Sequence, residues 1–181
     1  KVVDTSMGFT PLEGMIMGTR VGNVDANVIP YIMKKENLTP DQMTEIINKK
    51  SGFLGLSGKT SDAREMDALA VAGDPRAKLV LKKLSFDLIK NVGMYVAEMN
   101  GVDLIVFTGG IGEHNSHLRR RVCENFTYMG LKFDYNANAE AFGEDALISL
   151  PDSKVKVALI ATDEELVIAR DTMHIVNSLE D

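Results

Sequence analysis

The sequence predicts a layered α/β fold, and three observations carry that expectation. Strand-like and helix-like segments alternate along the chain. One short, continuously apolar run, Leu104-Ile105-Val106-Phe107, reads as a strand covered on both faces. That run breaks at Thr108-Gly109-Gly110-Ile111-Gly112, and a helix pattern follows.

Each element has its own signature. Thr39-Pro40-Asp41-Gln42 spaces an N-cap, a proline at the first helical position and a capping-box glutamine, so a helix runs from there to residue 50, with Gly52 as its stop. Ser61-Asp62-Ala63-Arg64 opens a second helix, ended by Gly73. Asp74-Pro75 opens the longest, which ends before Gly101. Its residues Val80, Leu84, Leu88, Val92, Val96 and Met99 recur every three or four positions, so one stripe is expected to be buried. Leu81 and Ile89 widen the stripe, which points to contact on two sides and to another subunit. Beyond the glycine turn the pattern gives a helix over 116–128 closed by Gly130, a strand at 131–133, and loop over 134–150. A strand over 154–160 and a last helix over 163–177 complete the chain.

The chain's 181 residues, 45% apolar and 25% charged, fit one domain with room for a second small lobe. Net charge is −6, with both signs interspersed. No basic stripe suggests nucleic acid and no polybasic helix suggests a membrane surface. No apolar run approaches the ~18 residues of a membrane span, and no signal peptide opens the chain, so the expected compartment is the cytoplasm. The single cysteine, Cys123, has no partner for an internal disulfide and is expected to pack in the core. The opening Lys1-Val2-Val3-Asp4-Thr5 reads as the middle of a strand and lacks an initiating Met, so a fragment or a processed chain is expected.

Three constellations are candidates for chemistry. Glycines in Gly109-Gly110-Ile111-Gly112-Glu113 let a ligand approach the backbone, and a following helix offers unpaired N–H groups. A dinucleotide fingerprint would need a third glycine where Asn115 stands, so that reading fails, while a tight turn without a ligand stays open. In Thr162-Asp163-Glu164-Glu165, Thr162 and Glu165 have capping-box spacing, which leaves Glu164 at the carboxyl end of a strand, where ligands bind in open α/β sheets. Such a hard oxygen donor suits Mg²⁺; the alternative is a glutamate that only complements the helix dipole. In Gly8-Phe9-Thr10-Pro11-Leu12-Glu13-Gly14 and Met17-Gly18-Thr19-Arg20, irregular glycine-rich backbone surrounds one guanidinium whose planar donors suit phosphate; a surface salt bridge is the alternative. His114 and His117 bracket a helix start without a third ligand and read as a solvated pair.

Taken together, Asp4-Thr5-Ser6-Met7-Gly8-Phe9-Thr10-Pro11-Leu12-Glu13-Gly14, Met17-Gly18-Thr19-Arg20, Ser51-Gly52-Phe53-Leu54-Gly55-Leu56-Ser57-Gly58, Phe107-Thr108-Gly109-Gly110-Ile111-Gly112-Glu113 and Thr162-Asp163-Glu164-Glu165-Leu166 resemble the acetate kinase family over residues 3–176. The resemblance implies a three-layer ribonuclease H-like domain of the sugar kinase, Hsp70 and actin superfamily, with its sheet incomplete at the amino-terminal end. Residues 1–181 would then be the carboxy-terminal nucleotide-binding and dimerisation domain, the amino-terminal domain being absent. The exposed edge along residues 2–6 would be covered by a partner or by disorder.

By the same resemblance, Arg20 stabilises charge on the phosphoryl group in flight. Asp62, Ala63 and Arg64 contact ATP or ADP, as do Gly110, Ile111, Gly112, Glu113 and His114, and Glu164 helps to hold Mg²⁺. It implies acetate or a similar short-chain carboxylate as acceptor, and a homodimer. Propionate or butyrate kinase is the sister reading, and a silent nucleotide-binding and dimerisation module is the reading outside enzymes. The family's acetate-binding and catalytic residues of the first domain have no counterpart among these 181 residues, so the chain alone is not expected to catalyse the reaction. One departure stands out: where the family pattern continues Asn-Ser after the glutamate, this chain has His114-Asn115-Ser116. Either His114 replaces the asparagine or the loop has gained a residue.

Overall fold

The computed structural model describes residues 1–179, except for the side chain of Glu164. The chain divides into two compact units, Lys1–Val102 and Asp103–Asp181. Among the described residues, no helix is long and apolar enough to cross a membrane.

The first unit is helical. Residues 1–27 form no strand, and Val2 and Val3 are exposed, so the anticipated edge strand over 2–6 is not formed. Then follow α1 (Val28–Glu36), α2 (Pro40–Lys49), α3 (Gly52–Ser57), α4 (Ala63–Val71) and α5 (Pro75–Glu98). The capping box at Thr39 forms as its spacing requires, with Thr39 and Gln42 exchanging side-chain-to-backbone bonds. Ile16, Met43, Phe53, Met66, Ala77, Val80, Leu81 and Leu84 are buried and form the core of this unit.

The stripe on α5 is buried only over its first half. Beyond Asp87, Leu88, Val92 and Val96 are half-buried, and Met99 is exposed. Asp87 is itself buried at the end of the covered stretch, where its carboxylate accepts from the Ile16 amide at 3.1 Å and from Lys83. A charge on a buried face is tolerated because it is paired.

Gly52 does not stop a helix as its spacing suggested; it starts α3, with φ of +63°. A Cβ there would lie 2.1 Å from the Met17 carbonyl oxygen and 2.8 Å from that of Arg20. Gly52→Ala is therefore expected to destabilise the first unit by about 1–3 kcal/mol from backbone conformation alone, with the clash adding to it. Denaturant unfolding followed by circular dichroism measures this, and an unchanged midpoint would refute it.

The second unit holds the sheet. Its elements are β1 (Leu104–Phe107), α6 (Gly109–His114), α7 (Ser116–Cys123), a 3-10 segment (Glu124–Met129), α8 (Tyr135–Glu140), β2 (Ala146–Leu147), β3 (Lys156–Leu159) and α9 (Glu164–Leu179). The strand order is β1-β3-β2, with β1 parallel to β3 and β2 antiparallel to it. This small mixed sheet bears out the α/β class.

Several local expectations change. The helix expected over 116–128 ends as α7 at Cys123 and continues as a 3-10 segment, which is itself kinked at Phe126 and ended by Gly130. The strand expected at 131–133 is reduced to one bridge between Phe133 and Ser149, and the stretch expected to be loop contains α8 and β2. The apolar run of β1 buries Ile105 and Phe107 but leaves Leu104 45% and Val106 42% exposed. A strand covered on both faces would bury every residue, and β1 buries only the alternate ones of one face. Central β3 is the doubly covered strand, with Val157, Ala158 and Leu159 all buried. Cys123 is fully buried, and desolvation pushes its thiol up to about 12, so it is an inert core residue.

Candidate functional site

Each unit gathers some of the residues singled out in the sequence. In the first, Arg20 ends a segment that the corner between α2 and α3 holds by its backbone. Val21 N donates to Ile47 O at 2.9 Å, Ser51 N to Thr19 O at 2.9 Å, Phe53 N to Met17 O at 2.9 Å, and Leu54 N to Gly18 O at 3.0 Å. The Thr19 hydroxyl adds a bond to Asn48 O at 2.9 Å. With the main chain fixed in this way, the Arg20 side chain is exposed, its Nη1 donating only weakly to Pro11 O at 3.4 Å. Among the described residues no carboxylate pairs with Arg20, so the salt-bridge alternative is not realised.

A cleft of about 330 Å³ beside it is lined by Met17, Gly18, Thr19, Arg20 and Ser61. A Cβ on Gly18 would stand 2.8 Å from the Ser61 carbonyl oxygen, so glycine is what lets the arginine segment approach the residue ahead of Asp62. Asp62 caps α4, accepting from the amides of Arg64 at 2.8 Å and Glu65 at 3.1 Å. Arg64 Nη2 also reaches it at 3.2 Å, and these bonds, that of the guanidinium first, hold the carboxyl below its usual range. Asp62 is thus engaged within its own helix start, while Arg64 extends into solvent with 88% of its side chain exposed.

In the second unit, parallel pairing brings the carboxyl ends of β1 and β3 to one edge of the sheet, and the glycine segment and Thr162 follow those ends. The segment is not an open turn: residues 109–114 form α6. Gly109 needs glycine for its φ of +71°. Gly110 has no such need, and a Cβ on it would meet nothing within 4 Å. Gly110 and Ile111 are exposed, Gly112 is half-buried, and Glu113 is buried.

Glu113 faces inward. Its Oε1 accepts from the Gly109 amide at 2.8 Å, the Thr162 amide at 2.9 Å and the Thr162 hydroxyl at 2.7 Å. The Thr162 hydroxyl, then the two amides, hold the Glu113 carboxyl below the usual glutamate range. A depressed carboxyl contributes stability that is present above its unfolded-state value, about 4.3, and lost as pH falls through the lowered folded value. The gap in melting temperature between the wild-type chain and Glu113→Gln is therefore expected to narrow as pH is lowered from about 6 to 3. A gap independent of pH would refute this.

At the departure after Glu113 the two side chains have different neighbours. Asn115 Oδ1 accepts from the Leu118 amide at 2.8 Å and caps α7, whereas the His114 ring lies 4.5 Å from that of Phe142. The capping box expected between Thr162 and Glu165 does not form. Asp163 caps α9 instead, accepting from the Leu166 amide at 2.9 Å, because the Thr162 hydroxyl is turned to Glu113. Glu164 starts α9 beyond the end of β3, and its side chain, expected to hold metal, lies outside the described residues. Among the described residues no group of three or more His, Cys, Asp or Glu stands together as a metal site.

Arg119 escaped the sequence reading. It is fully buried, and all five of its N–H groups are used. Nη1 donates to Gly112 O and Glu113 O, both at 2.8 Å, which fixes the last carbonyls of α6. Nε donates to Asn138 Oδ1 at 2.8 Å, and Nη2 to the carbonyls of Asn138 at 3.0 Å and Ala141 at 2.8 Å. A signal was present: Arg119, Val122, Cys123 and Phe126 share the spacing of one helix face, so a charge stood in an apolar stripe.

The profile of the acetokinase family matches residues 1–170. An acetate kinase of Phocaeicola vulgatus is 50% identical over 98% of this chain and 44% of its own length. The crystal structure of Porphyromonas gingivalis acetate kinase superposes with a TM-score of 0.88 at 46% identity, covering 94% of this chain and 43% of that one. A propionate kinase structure from Francisella tularensis gives 0.83 at 38% identity, covering 92% and 42%. The chain thus spans less than half the length of the proteins it matches.

Proposed function

We propose, on the premise that this chain belongs to the acetokinase family, that it forms the nucleotide-binding part of an enzyme that moves the terminal phosphoryl group of ATP to acetate. An acetate oxygen attacks the γ-phosphorus, the bond to the β,γ-bridging oxygen breaks, and acetyl phosphate and ADP result. Such transfer depends on positioning and on neutralising spread charge rather than on covalent chemistry by the protein. Arg20, exposed beside its cleft and paired with no carboxylate among the described residues, is suited to that charge. Ala63, Arg64, Gly110, Ile111, Gly112 and His114 contact the nucleotide, with Asp62 holding the start of α4 for them.

Glu164 would hold Mg²⁺, an ion that takes one or two carboxylates and completes its shell with phosphate and water; with Asp163 engaged as the cap of α9, Glu164 is the carboxylate proposed for that donor set. When bound, the ion offsets phosphate charge. We place the enzyme in the cytoplasm as a homodimer associating through α5, whose Leu79, Phe86 and Met94 are exposed, as is Met99 just past its end. The likeness to a propionate kinase makes propionate the second acceptor to assay.

The observation that carries the nucleotide reading is Gly110. Among the described residues nothing in the packing or backbone requires glycine there, so the open space beside it is available to a ligand. On intrinsic helix propensity, Gly110→Ala raises stability by about 0.5–1 kcal/mol. It is nonetheless expected to weaken ADP binding about tenfold or more, from a wild-type Kd on the order of 0.1–1 mM. Amide-shift titration with ADP reads the affinity and thermal unfolding the stability. Equal affinity in the two chains would refute the reading.

A further inference from the structure

We infer that Thr162 is a positioning residue for the nucleotide segment: its hydroxyl ties the start of α6 to the end of β3, so that residues 110–114 are presented in one fixed pose. The inference rests on the nucleotide reading above and adds to it a residue that contacts no ligand. Its basis is a closed hydrogen-bond ring. Thr162 Oγ1 lies 2.7 Å from Glu113 Oε1, 2.7 Å from Thr108 Oγ1, and 3.0 Å from the Gly109 amide.

The proton positions follow from counting donors. An ionised carboxylate only accepts, so the single Thr162 hydroxyl proton goes to Glu113. The Thr108 hydroxyl must then donate to Thr162 Oγ1, which also accepts from Gly109 N. The Gly109 amide is shared between Thr162 Oγ1 and Glu113 Oε1, and the Thr162 amide donates to the same carboxylate oxygen. Residues just past the ends of two parallel strands are thereby joined to each other and to the last turn of α6 through one hydroxyl and one carboxylate.

The parallel register puts Phe107 opposite Leu159, and Ile160 N donates to Phe107 O at 3.0 Å, so the backbone already holds the strand ends together. The backbone ladder stops there. Beyond it Gly109 is left-handed, and a Cβ on Gly109 or Gly110 would meet nothing, so side-chain packing does not fix the segment's pose at those positions. The Thr162 ring does so from β3, and Arg119 holds the carbonyls of Gly112 and Glu113 from the opposite end. Thr162 is itself exposed, so its hydroxyl can be removed without opening a cavity.

The test uses the 181-residue chain with ADP as probe. Thr162→Val keeps the shape and loses the hydroxyl; Thr162→Ser keeps the hydroxyl. Amide exchange at Gly109 and amide-shift titration with ADP are measured on all three. Valine is expected to speed exchange at Gly109 and to weaken ADP about tenfold, the factor one charge-assisted hydrogen bond carries. Exchange in the core strand β3 should stay unchanged, and serine should stay within about twofold of wild type. Valine binding ADP as well as wild type, or serine failing as valine does, overturns the proposal. So does a valine variant whose β3 amides also lose protection, since that assigns Thr162 to the fold as a whole. If the wild-type chain protects Gly109 yet takes no ADP, the nucleotide reading itself falls, a result seen before any variant is compared.

Discussion

Arg119→Lys is expected to destabilise the second unit by about 3–5 kcal/mol, as much as Arg119→Met or more. The guanidinium satisfies five acceptors, four of them main-chain carbonyls, and it is fully buried. Burial pushes its pKa down, yet guanidinium stays protonated in proteins, so a charge is held here by oriented dipoles and by no carboxylate. Methionine leaves those oxygens without donors at about 1–3 kcal/mol each, but it also removes the penalty of burying the charge, which offsets part of the loss. Lysine keeps the buried charge and offers three donors that do not match the fork geometry. It therefore retains the unfavourable part and loses most of the favourable part. Urea unfolding followed by circular dichroism measures this. A lysine variant within about 1 kcal/mol of wild type would show that the fork is dispensable.

Arg20→Ala, in a protein carrying this chain together with the remaining length its relatives have, is expected to lower kcat by about 10³–10⁵-fold. That factor corresponds to roughly 4–7 kcal/mol of transition-state stabilisation. Nucleotide affinity should change little, because a residue that meets charge as it develops acts on the rate and not on ground-state binding. Stability should change little as well. The side chain is exposed, and the bonds that hold its segment come from backbone atoms and the Thr19 hydroxyl. Arg20→Lys should recover little, since an ammonium cannot present two parallel donors to a phosphoryl group. Trapping acetyl phosphate as its hydroxamate gives the rate, and titration with ADP gives the binding. A variant whose KM for ATP rises while kcat holds would make Arg20 a binding residue and refute its assignment to the transition state.

The sequence by itself determined much of this protein. Helix starts were legible because their chemistry is local: Thr39 with Gln42, Asp62, and Asp74 with Pro75 each satisfy amides within three residues, whatever the rest of the chain does. The α/β class, the position of β3 and the motifs that carry the family resemblance were legible for the same reason, since alternation and motif order are properties of the linear chain.

What only the tertiary structure decided are the partnerships across long separations. Glu113 and Thr162 lie 49 positions apart, and the parallel register of β1 and β3 is what makes the carboxylate an internal latch and takes Thr162 from its local cap. Arg119 meets Asn138 and Ala141 only because α8 returns to α7. Gly52 reads as a helix stop from its neighbours, and it is the closeness of Met17 O, 35 residues earlier, that makes it a start instead. A polar side chain takes whichever partner leaves the fewest buried donors and acceptors unpaired, and that balance is struck over the whole fold rather than over the nearest four residues.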